Sequence, residues 1–496
     1  MKIYLESLGC CRNQIDSEVM LGRLASNHHE ICDDPSEAEV IIVNTCGFIA
    51  SASSEAIDTI LELAEYKKTG SCKRLVVTGC LPERFRDDTL TEALPEVDAF
   101  LGIGACDDIV KAVEYKQNPL PSSPSFLLRD QESRGKERLI ILPDPSARQF
   151  QGYPLPRLLT LNYSAYIKIS EGCNRKCTYC IIPKLRGRQR SRTIEDITAE
   201  AVHFIKNGVK ELIFVGENTT DYGIDLVKTP NLAELLERIS IEVNNYYPLY
   251  LTDKELPSNN NLPINKELPP IWLRLLYTHP SSITKEVIER IASLENFCTY
   301  FDVPVQHASS KILKRMGRDY NLDDLYRLFE SIREIAPDAA LRTTLITGFP
   351  GETDKDFTTL LKFVEDIKFD HLGVFAYSDS EDLASHHLKS HVPENIAEER
   401  LDIIMAAQSQ ISENINKKYM DKSLAVLVEE NPDEGIYLGR TSFQAPEVDG
   451  ITFIYGSNLE IGGFVDIKIT ETHEYDLAGE HSSYDPSAES KNTKRV

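Results

Sequence analysis

The sequence has little that would place the chain in a membrane or outside the cell. No segment approaches the roughly 18 consecutive apolar residues that a membrane span requires. The first residues, MKIYLESLGCC, lack the basic region and apolar run of a secretory signal. Basic residues are fewer than acidic ones: the sequence has 54 Lys and Arg and 78 Asp and Glu, which gives a net charge of −24. We therefore expect a cytoplasmic protein without membrane attachment, whose charge favours a basic partner and disfavours stable nucleic-acid binding.

The sequence has 11 cysteines, a number that needs an explanation in a cytoplasmic protein. Disulfides are disfavoured in a reducing cytoplasm, and an odd number cannot pair completely. Clustered cysteines in such a chain are therefore expected to bind metal or to take part in catalysis.

The order of apolar runs predicts an α/β protein built from several units. Residues 1–116 alternate strands and helices, which predicts a parallel α/β domain. Six strand–helix repeats over 160–390 predict a partial (β/α)6 barrel. Short alternating strands with glycine turns over 421–478 predict a small antiparallel β-barrel. The remaining segments are predicted to be a linker at 117–159, a polar loop insertion at 252–270, a connecting helix at 391–420 and a disordered tail at 479–496.

A C-x3-C-x2-C motif follows the first predicted barrel strand, in ISEGCNRKCTYCIIP. Cys173, Cys177 and Cys180 are suited to ligate three irons of a [4Fe–4S] cluster and to leave the fourth iron open. A structural zinc site would need a fourth ligand, and no further Cys or His is close in sequence. The motif resembles that of the radical S-adenosylmethionine superfamily, in which the open iron binds S-adenosylmethionine. Tyr179 before the last cysteine also fits that superfamily.

A second set of three cysteines is spread over the first domain. Cys10, Cys46 and Cys80 each follow a predicted strand and are separated by 36 and 34 residues, about one βαβ unit each. The carboxyl ends of parallel strands meet at one edge of a sheet, so this spacing can bring three thiolates together. The spacing is compatible with a second three-cysteine cluster and also with buried cysteines at strand ends.

Several further positions are candidates for contact with the cofactor. They are Glu217 and Asn218 after the second barrel strand, Gln306 in PVQHAS, and Arg342, Thr344 and Gly348 in LRTTLITGFPGET. Each could equally be a core or turn residue. The basic run KLRGRQRSR (184–192) is either a solvated loop or a clamp on the cofactor or an acidic target.

The chain up to about residue 478 resembles the methylthiotransferase family. The resemblance is carried by GCCRNQIDSE, VNTCGFI, TGCLPER, EGCNRKCTYCIIPKLRG, PVQHAS, TGFPGET and APEVDG, in that order. It implies a three-cysteine domain with an auxiliary [4Fe–4S] cluster on Cys10, Cys46 and Cys80, a radical S-adenosylmethionine barrel with its own cluster, and a C-terminal TRAM domain. The implied reaction replaces a C–H bond of the target by C–S–CH3. It uses S-adenosylmethionine, a sulfur donor and an electron donor of the flavodoxin or ferredoxin type. The open irons carry the reactivity, and no side chain is assigned as acid or base.

Two branches of that family differ in their target. One modifies the β-carbon of an aspartate in a small-subunit ribosomal protein, and the other modifies isopentenylated adenosine in transfer RNA. The segment GRTSFQAPEVDG (439–450) resembles the ribosomal-protein branch, whereas THP (278–280) resembles the RNA branch. Residues 421–496 carry six Lys and Arg against 15 Asp and Glu, which suits a basic ribosomal protein better than RNA. A non-catalytic iron–sulfur carrier is disfavoured because both triplets lack a fourth cysteine.

Overall fold

The computed structural model describes residues 1–86, 88–115, 127–129, 138–147, 156–227, 229–254 and 271–484. Among these residues, no helix combines the length and the apolar character needed to cross a lipid bilayer. They form an α/β sheet domain, a partial barrel and a small closed β-barrel, which confirms the predicted fold class. Most of the predicted insertion, from residue 255 to 270, lies outside the described residues.

The first unit is a seven-stranded sheet. Its strands are β1 (Lys2–Ser7), β2 (Glu30–Ile31), β3 (Val40–Thr45), β4 (Arg74–Gly79), β5 (Ala99–Leu101), β6 (Leu127–Arg129) and β7 (Arg138–Ile141). They lie in the order β2-β1-β3-β4-β5-β7-β6, and all neighbours are parallel except β6 and β7. Its helices are α1 (Cys11–Ser26), α2 (Ala50–Ala64), α3 (Tyr66–Thr69), α4 (Cys80–Arg84), α5 (Asp88–Ala93) and α6 (Ile109–Glu114).

Helices cover both faces of this sheet, which explains the continuous apolar run of β3. Val40 and Ile42 join the core that includes Met20 of α1, whereas Ile41 and Val43 join the core formed with α2. A parallel strand that is buried on both faces is apolar throughout, since successive side chains point to opposite faces. The sheet is therefore firmly packed where its carboxyl ends carry Cys10, Cys46 and Cys80.

The sheet continues into the segment for which the sequence predicts a linker. Residues 138–141 are buried, and β7 pairs with β5 in parallel. The apolar part of this strand is only three residues long and follows the charged stretch RDQESRGKER, so its composition resembles a linker. Residues 117–126, 130–137 and 148–155 of the same segment lie outside the described residues.

The second unit is the partial barrel. Its strands are β8 (Ser164–Lys168), β9 (Ser170–Glu171), β10 (Arg190–Ser191), β11 (Glu211–Val215), β12 (Trp272–Leu275), β13 (Tyr300–Asp302), β14 (Ala340–Thr347) and β15 (His371–Ala376). The parallel sheets β12-β11-β8 and β13-β14-β15 form its wall, and β9 and β10 pair separately. Its helices are α7 (Ile182–Arg186), α8 (Ile194–Lys206), α9 (Leu232–Lys254), α10 (Lys285–Ser293), α11 (Ser310–Arg315), α12 (Leu322–Ile335) and α13 (Asp354–Ile367).

Alternation along β11 separates the outer and inner faces of this wall. Leu212 and Phe214 pack against the surrounding helices, whereas Ile213 and Val215 face inward. The helices begin at defined positions because side chains satisfy their free N–H groups. For example, Thr353 accepts from the amide of Asp356 and completes a capping box on α13.

The inner face of the barrel is covered by the two flanking units. Ile15 of α1 packs on one side of it, and Leu427 and Ala445 of the C-terminal unit pack against it as well. All three are buried together with Tyr166 of β8. The three units therefore share one apolar junction, which fixes the cysteine-bearing domain relative to the barrel.

The last unit is a small barrel that follows the long helix α14 (Glu394–Asn416). Its strands are β16 (Ser423–Asp433), β17 (Ile436–Thr441), β18 (Thr452–Tyr455), β19 (Phe464–Thr472) and β20 (Leu477–His481). They close in the order β16-β17-β18-β20-β19, and every pair is antiparallel except β18 with β20. The predicted tail from 479 is wrong at its start, because Leu477–His481 pairs on both sides. Residues 485–496 lie outside the described residues.

Candidate functional site

Three cysteines of the first domain lie at the carboxyl ends of three neighbouring strands. Cys10 follows β1, Cys46 follows β3, and Cys80 follows β4 as the first residue of α4. Because β1, β3 and β4 are adjacent and parallel, these ends lie at one edge of the sheet. The structure brings the three predicted ligands of the auxiliary cluster to this edge.

Two glycines allow the three loops to approach each other closely. A Cβ on Gly9, whose φ is +98°, would lie 2.8 Å from Cβ and 3.3 Å from Sγ of Cys46. A Cβ on Gly47 would lie 3.1 Å from the carbonyl carbon of Cys80. Any larger residue would push these loops apart, so both glycines are needed for the three cysteines to converge.

Asn13 of α1 connects the same three loops. Its Nδ2 donates to the carbonyl oxygens of Leu8 and Thr45, both at 2.9 Å. Its backbone N–H donates to the carbonyl of Cys10 at 2.8 Å, and the thiol of Cys80 lies 3.8 Å from its Oδ1. Asn13 is buried, so one amide side chain holds the three cysteine loops together.

The three thiols differ in acidity. Burial raises the pKa of Cys80 to about 12 and also raises the pKa of Cys46. Burial opposes the ionisation of Cys10 too, but the charges of Arg12 and Arg186 outweigh it and lower the pKa of that thiol. Binding to iron removes the protons in every case, because only the thiolate is a ligand.

The second triplet lies on the loop after β9. Its members are Cys173, Cys177 and Cys180, all partly exposed. The loop is held against the end of α11, where the amide of Thr178 donates to the carbonyl of Met316 at 3.0 Å. Gly317 must be glycine there, because its φ is +76° and a Cβ would lie 2.6 Å from the carbonyl oxygen of Lys176.

Arg175 fixes the middle of this loop. Its guanidinium donates to both oxygens of Asp221 at 2.8 and 3.0 Å and to Asp319 at 2.9 Å. Its backbone N–H points at Sγ of Cys173 at 3.4 Å, which stabilises a thiolate. Burial nevertheless raises the pKa of Cys173 to about 11 and that of Cys180 to about 12. These two thiols are therefore neutral at neutral pH until a metal displaces their protons.

Tyr179 packs behind the loop. Its hydroxyl accepts from Nη2 of Arg318 at 2.5 Å, and its ring meets Phe349 edge to face at 6.3 Å. The structure gives this predicted cofactor residue a role in holding the loop between Cys177 and Cys180.

Glu217 lies between the two cysteine sites. Its carboxylate is buried and has no hydrogen-bond partner among the described residues, although Nε of Arg12 and Nε of Arg186 lie at 3.8 and 3.6 Å. Burial and the neighbouring Glu171 raise its pKa. Arg12 also donates to the carbonyl of Gly216 at 3.0 Å, so helix α1 directly contacts the β11 loop.

Two more buried polar atoms near Glu217 lack a hydrogen-bond partner in the described part of the chain. They are Nδ2 of Asn218 and Oγ of Ser170. Buried polar groups are almost always satisfied, so atoms of this kind indicate a missing polar ligand. Asn218 lies after β11 and Ser170 begins β9, which leads into the Cys173 loop, and these two atoms fit the carboxylate and amino groups of S-adenosylmethionine.

Three other predicted cofactor residues lie on or beside β14. Gln306 has a φ of +68°, and its backbone N–H donates to the carbonyl of Thr344 at 2.8 Å. Arg342 pairs with Asp302 at 3.0 Å and with Asp449 of the C-terminal barrel at 3.3 Å. Arg342 is therefore engaged at the contact between two units, and its role towards the cofactor stays a prediction.

Gly348 is explained by packing. Its φ is +73°, and a Cβ would lie 2.2 Å from the Cβ of Ala397 on α14. The glycine lets α14 pack closely against the end of β14.

The donor sets fit iron–sulfur clusters better than single ions. Among the described residues, no three Cys, His, Asp or Glu side chains already surround one metal-ion position. A cubane cluster instead spreads its thiolates over separate irons, so its ligands lie farther apart than those of one ion. Three thiols on converging loops match such a cluster with one open iron. Cys11, next to Cys10 in sequence, is buried and contacts the hydroxyl of Tyr277 at 3.5 Å instead.

Sequence reasoning missed the polar residues that join the two sites. Asn13 and Arg12 lie in the segment GCCRNQ, and no sequence pattern marks either of them as a functional residue. Arg186 lies in the basic run 184–192, for which the sequence predicts a solvated loop or a clamp. The structure instead buries Arg186 and Arg192 in ion pairs.

Family models match all three units. The model of the radical SAM superfamily matches residues 167–364, that of the uncharacterized protein family UPF0004 matches residues 2–102, and that of the TRAM domain matches residues 422–481. These ranges correspond to the barrel, the seven-stranded domain and the closed β-barrel.

The chain is similar over nearly its whole length to curated proteins. It is 45% identical over 481 residues to ribosomal protein uS12 methylthiotransferase RimO of Desulfosudis oleivorans. The aligned region covers 97% of this chain and 100% of that protein. It is 42% identical to the protein of the same name from Clostridioides difficile, covering 97% and 98%.

A solved structure has a similar fold. The radical S-adenosylmethionine methyltransferase TsrM from Kitasatospora setae aligns with a TM-score of 0.51 and 15% identity, covering 76% of this chain and 74% of that chain. At this identity the similarity concerns the fold alone.

Proposed function

Because the chain belongs to the RimO family of radical S-adenosylmethionine methylthiotransferases, we propose that it inserts a methylthio group at the β-carbon of an aspartate in ribosomal protein uS12. The C–H bond of the target is replaced by C–S–CH3. One S-adenosylmethionine supplies the methyl group, and a second is cleaved reductively to the radical that removes the hydrogen atom. A separate sulfur donor supplies the sulfur.

In this proposal Cys173, Cys177 and Cys180 hold the [4Fe–4S] cluster of the barrel, and Cys10, Cys46 and Cys80 hold the auxiliary [4Fe–4S] cluster. When bound, the first cluster supplies the electron that cleaves S-adenosylmethionine, and the second provides an open iron for sulfur. The side chains of Asn218 and Glu217 orient S-adenosylmethionine beside the first cluster. The apolar junction around Ile15 and Leu427 covers the inner face of the barrel and excludes water there.

One observation carries the proposal. Glu217, which follows barrel strand β11, faces Arg12 and Arg186. Against the effect of burial, both arginines lower the pKa of Cys10, and Arg186 also opposes the rise in the pKa of Cys80. Besides burial, the charge of Glu217 raises the pKa of Cys173, so the two cysteine sites border the same buried ionic group. A radical source and a sulfur site that share one interior region can act on one substrate carbon, which is a proximity effect.

The C-terminal barrel is suited to a basic protein partner. Within residues 421–484 it has three basic side chains, and Arg440 is buried in ion pairs with Glu211 and Glu429. Only Lys422 and Lys468 are exposed cations of the Lys and Arg type, against 13 Asp and Glu in the same range. Such a surface attracts the basic uS12 and repels RNA phosphates. We place the reaction in the cytoplasm, with a flavodoxin- or ferredoxin-type electron donor.

The tripeptide THP, which resembles the RNA-modifying branch, has structural contacts. Thr278 donates from its amide to the carbonyl of Asp302 at 3.2 Å, and the amide of His279 donates to Thr220 at 2.9 Å. Burial lowers the pKa of His279 to about 2, so its ring is neutral. These residues support the barrel and give no argument for a transfer RNA target.

The test is anaerobic incubation of the reconstituted enzyme with S-adenosylmethionine, sulfide and a reductant. Small ribosomal subunits and transfer RNA are offered in separate reactions. We expect a mass gain of about 46 Da on uS12, from replacement of H by SCH3. A gain on the RNA alone would contradict the proposal.

Two cysteine variants sharpen this test. Cys177→Ala should release no 5′-deoxyadenosine, whereas Cys46→Ala should still release it but insert no sulfur. Cys32→Ala, outside both triplets, is the matched control and should behave as the unmodified enzyme. If Cys46→Ala still modified uS12, the auxiliary site would have no part in sulfur insertion.

A further inference from the structure

Arg186 is a barrel residue that reaches into the cysteine site of the first domain. It is the last residue of α7 and is 1% exposed. Its Nη2 donates to Oδ1 of Asn13 at 2.7 Å and lies 4.0 Å from Sγ of Cys80. Asn13 is the side chain that connects the three cysteine loops, so Arg186 contacts both a predicted ligand and the residue that organises all three.

The remaining atoms of the guanidinium meet carboxylates from both units. Nη1 pairs with Glu171 of the barrel and lies 3.3 Å from Asp16 of α1, while Nε lies 3.6 Å from Glu217. Lys168 pairs with the same Asp16 and Glu171. The group is buried, so its charges act on their neighbours with little screening by water.

Arg186 is the cation of this group that lies beside Cys80. Three cations, Arg12, Lys168 and Arg186, face three carboxylates, those of Asp16, Glu171 and Glu217. Metal binding adds a thiolate at Cys80 beside Arg186. Hydrogen bonds and positive charge near the sulfur ligands of an iron–sulfur cluster favour its reduced state, because reduction adds negative charge.

Resting on the auxiliary cluster of the proposed function, we propose that Arg186 is a positioning residue that donates to the Cys80 thiolate and raises the reduction potential of that cluster. The barrel, not only the cysteine domain, then sets the electronic properties of the auxiliary cluster. The cluster has its working potential only when the two units are docked, since Arg186 and Cys80 belong to different units.

The experiment uses the full-length chain with Cys173, Cys177 and Cys180 all changed to Ala, so that only the auxiliary cluster can form. After anaerobic reconstitution, iron is counted, and the midpoint potential is measured by dithionite titration followed by electron paramagnetic resonance. Arg186→Gln should shift the potential to a more negative value. Arg186→Lys, which keeps the charge, should shift it less.

Two further variants separate this effect from simple loosening of the structure. Glu171→Gln removes a negative charge beside Arg186 and should shift the potential in the positive direction. Arg192→Gln is the matched control, because Arg192 is a buried arginine of the same basic run whose carboxylate partners are Asp196 and Glu200. It should leave the potential unchanged.

An unchanged potential in Arg186→Gln at full iron content would overturn the inference. If Arg186→Gln failed to hold a cluster, the Glu171→Gln variant would provide the test instead. A midpoint potential that did not rise in Glu171→Gln would also overturn the inference. Fewer than about four irons in the background protein would contradict the auxiliary cluster itself, and with it the proposed function.

Discussion

The hydroxyl of Tyr300 donates to Oδ2 of Asp449 at 2.6 Å, which joins the barrel to the C-terminal unit. The carboxylate of Asp449 is completely buried and also accepts from the amide of Ala445 at 2.8 Å and from Arg342 at 3.3 Å. Asp449 belongs to APEVDG, part of the segment that resembles the ribosomal-protein branch of the family. In the structure this segment is the joint between the two units.

Asp449→Ala should therefore loosen the C-terminal barrel. Arg342 and Tyr300 would lose a buried partner, which costs about 3–5 kcal/mol of folding free energy. Trp272, the only tryptophan, reports on this joint because its ring lies 4.7 Å from that of Phe464. We expect a red-shifted Trp272 emission and a lower urea midpoint in the cluster-free protein. Asp466→Ala, an exposed change on the same unit, is the control, and an equal effect of both variants would refute the role of Asp449.

Acid should weaken the same joint through Glu211. Burial opposes its ionisation, but Arg440 and Arg274 outweigh burial and lower its pKa from 4.5 to about 2. Because the folded pKa is the lower one, this stabilisation is present above about pH 4.5 and is lost as the pH falls towards 2. The shift corresponds to roughly 3 kcal/mol.

The measurement is urea unfolding of the cluster-free protein between pH 6 and pH 3, followed by Trp272 emission. Glu211→Gln should be less stable than the unmodified chain at pH 6, and the difference should shrink towards pH 3. A difference that stays constant across this range would show that the charge of Glu211 is not responsible.

The strands and the cysteine positions were predictable because both depend on local patterns. Four-residue apolar runs such as that of β3 identify a buried parallel strand wherever helix-length segments separate them. A cysteine directly after such a run must lie at the carboxyl edge of the sheet. The sequence therefore predicts Cys10, Cys46 and Cys80 at one edge of the sheet, which is where these residues lie in the structure.

The polar group between the two sites was not predictable from local patterns. Arg186 and Asn13 are 173 residues apart and in different units, so their contact depends on how the units dock. β7 was missed because three apolar residues in a charged stretch give too weak a signal. Arg342 is predicted to lie at the cofactor, and in the structure it also contacts Asp449, 107 residues away, a contact that no local pattern indicates.

Substitution of Gly348 tests whether this glycine is needed for helix packing or for cofactor binding. Gly348→Ala should destabilise the protein, because its Cβ would overlap with that of Ala397 and the residue has a positive φ. We expect a loss of about 1–3 kcal/mol from overpacking, measured by urea unfolding. The double variant Gly348→Ala with Ala397→Gly should recover the part of this loss that comes from the overlap, whereas the cost of the positive φ remains. If the double variant were no more stable than the single one, the close approach of α14 would not explain the glycine.

The two cysteine sites should lose their iron independently, because the triplets lie in different units and on different loops. We expect about eight irons per chain in the reconstituted enzyme and about four in Cys46→Ala or Cys177→Ala, since each cluster holds four irons. Cys32→Ala, half-buried and outside both sites, should keep all eight. The measurement is iron and sulfide content after anaerobic reconstitution, with electron paramagnetic resonance to distinguish the remaining cluster. If Cys46→Ala kept eight irons, Cys46 would not be a ligand; if it lost all eight, the two sites would depend on each other for assembly, contrary to their separate loops.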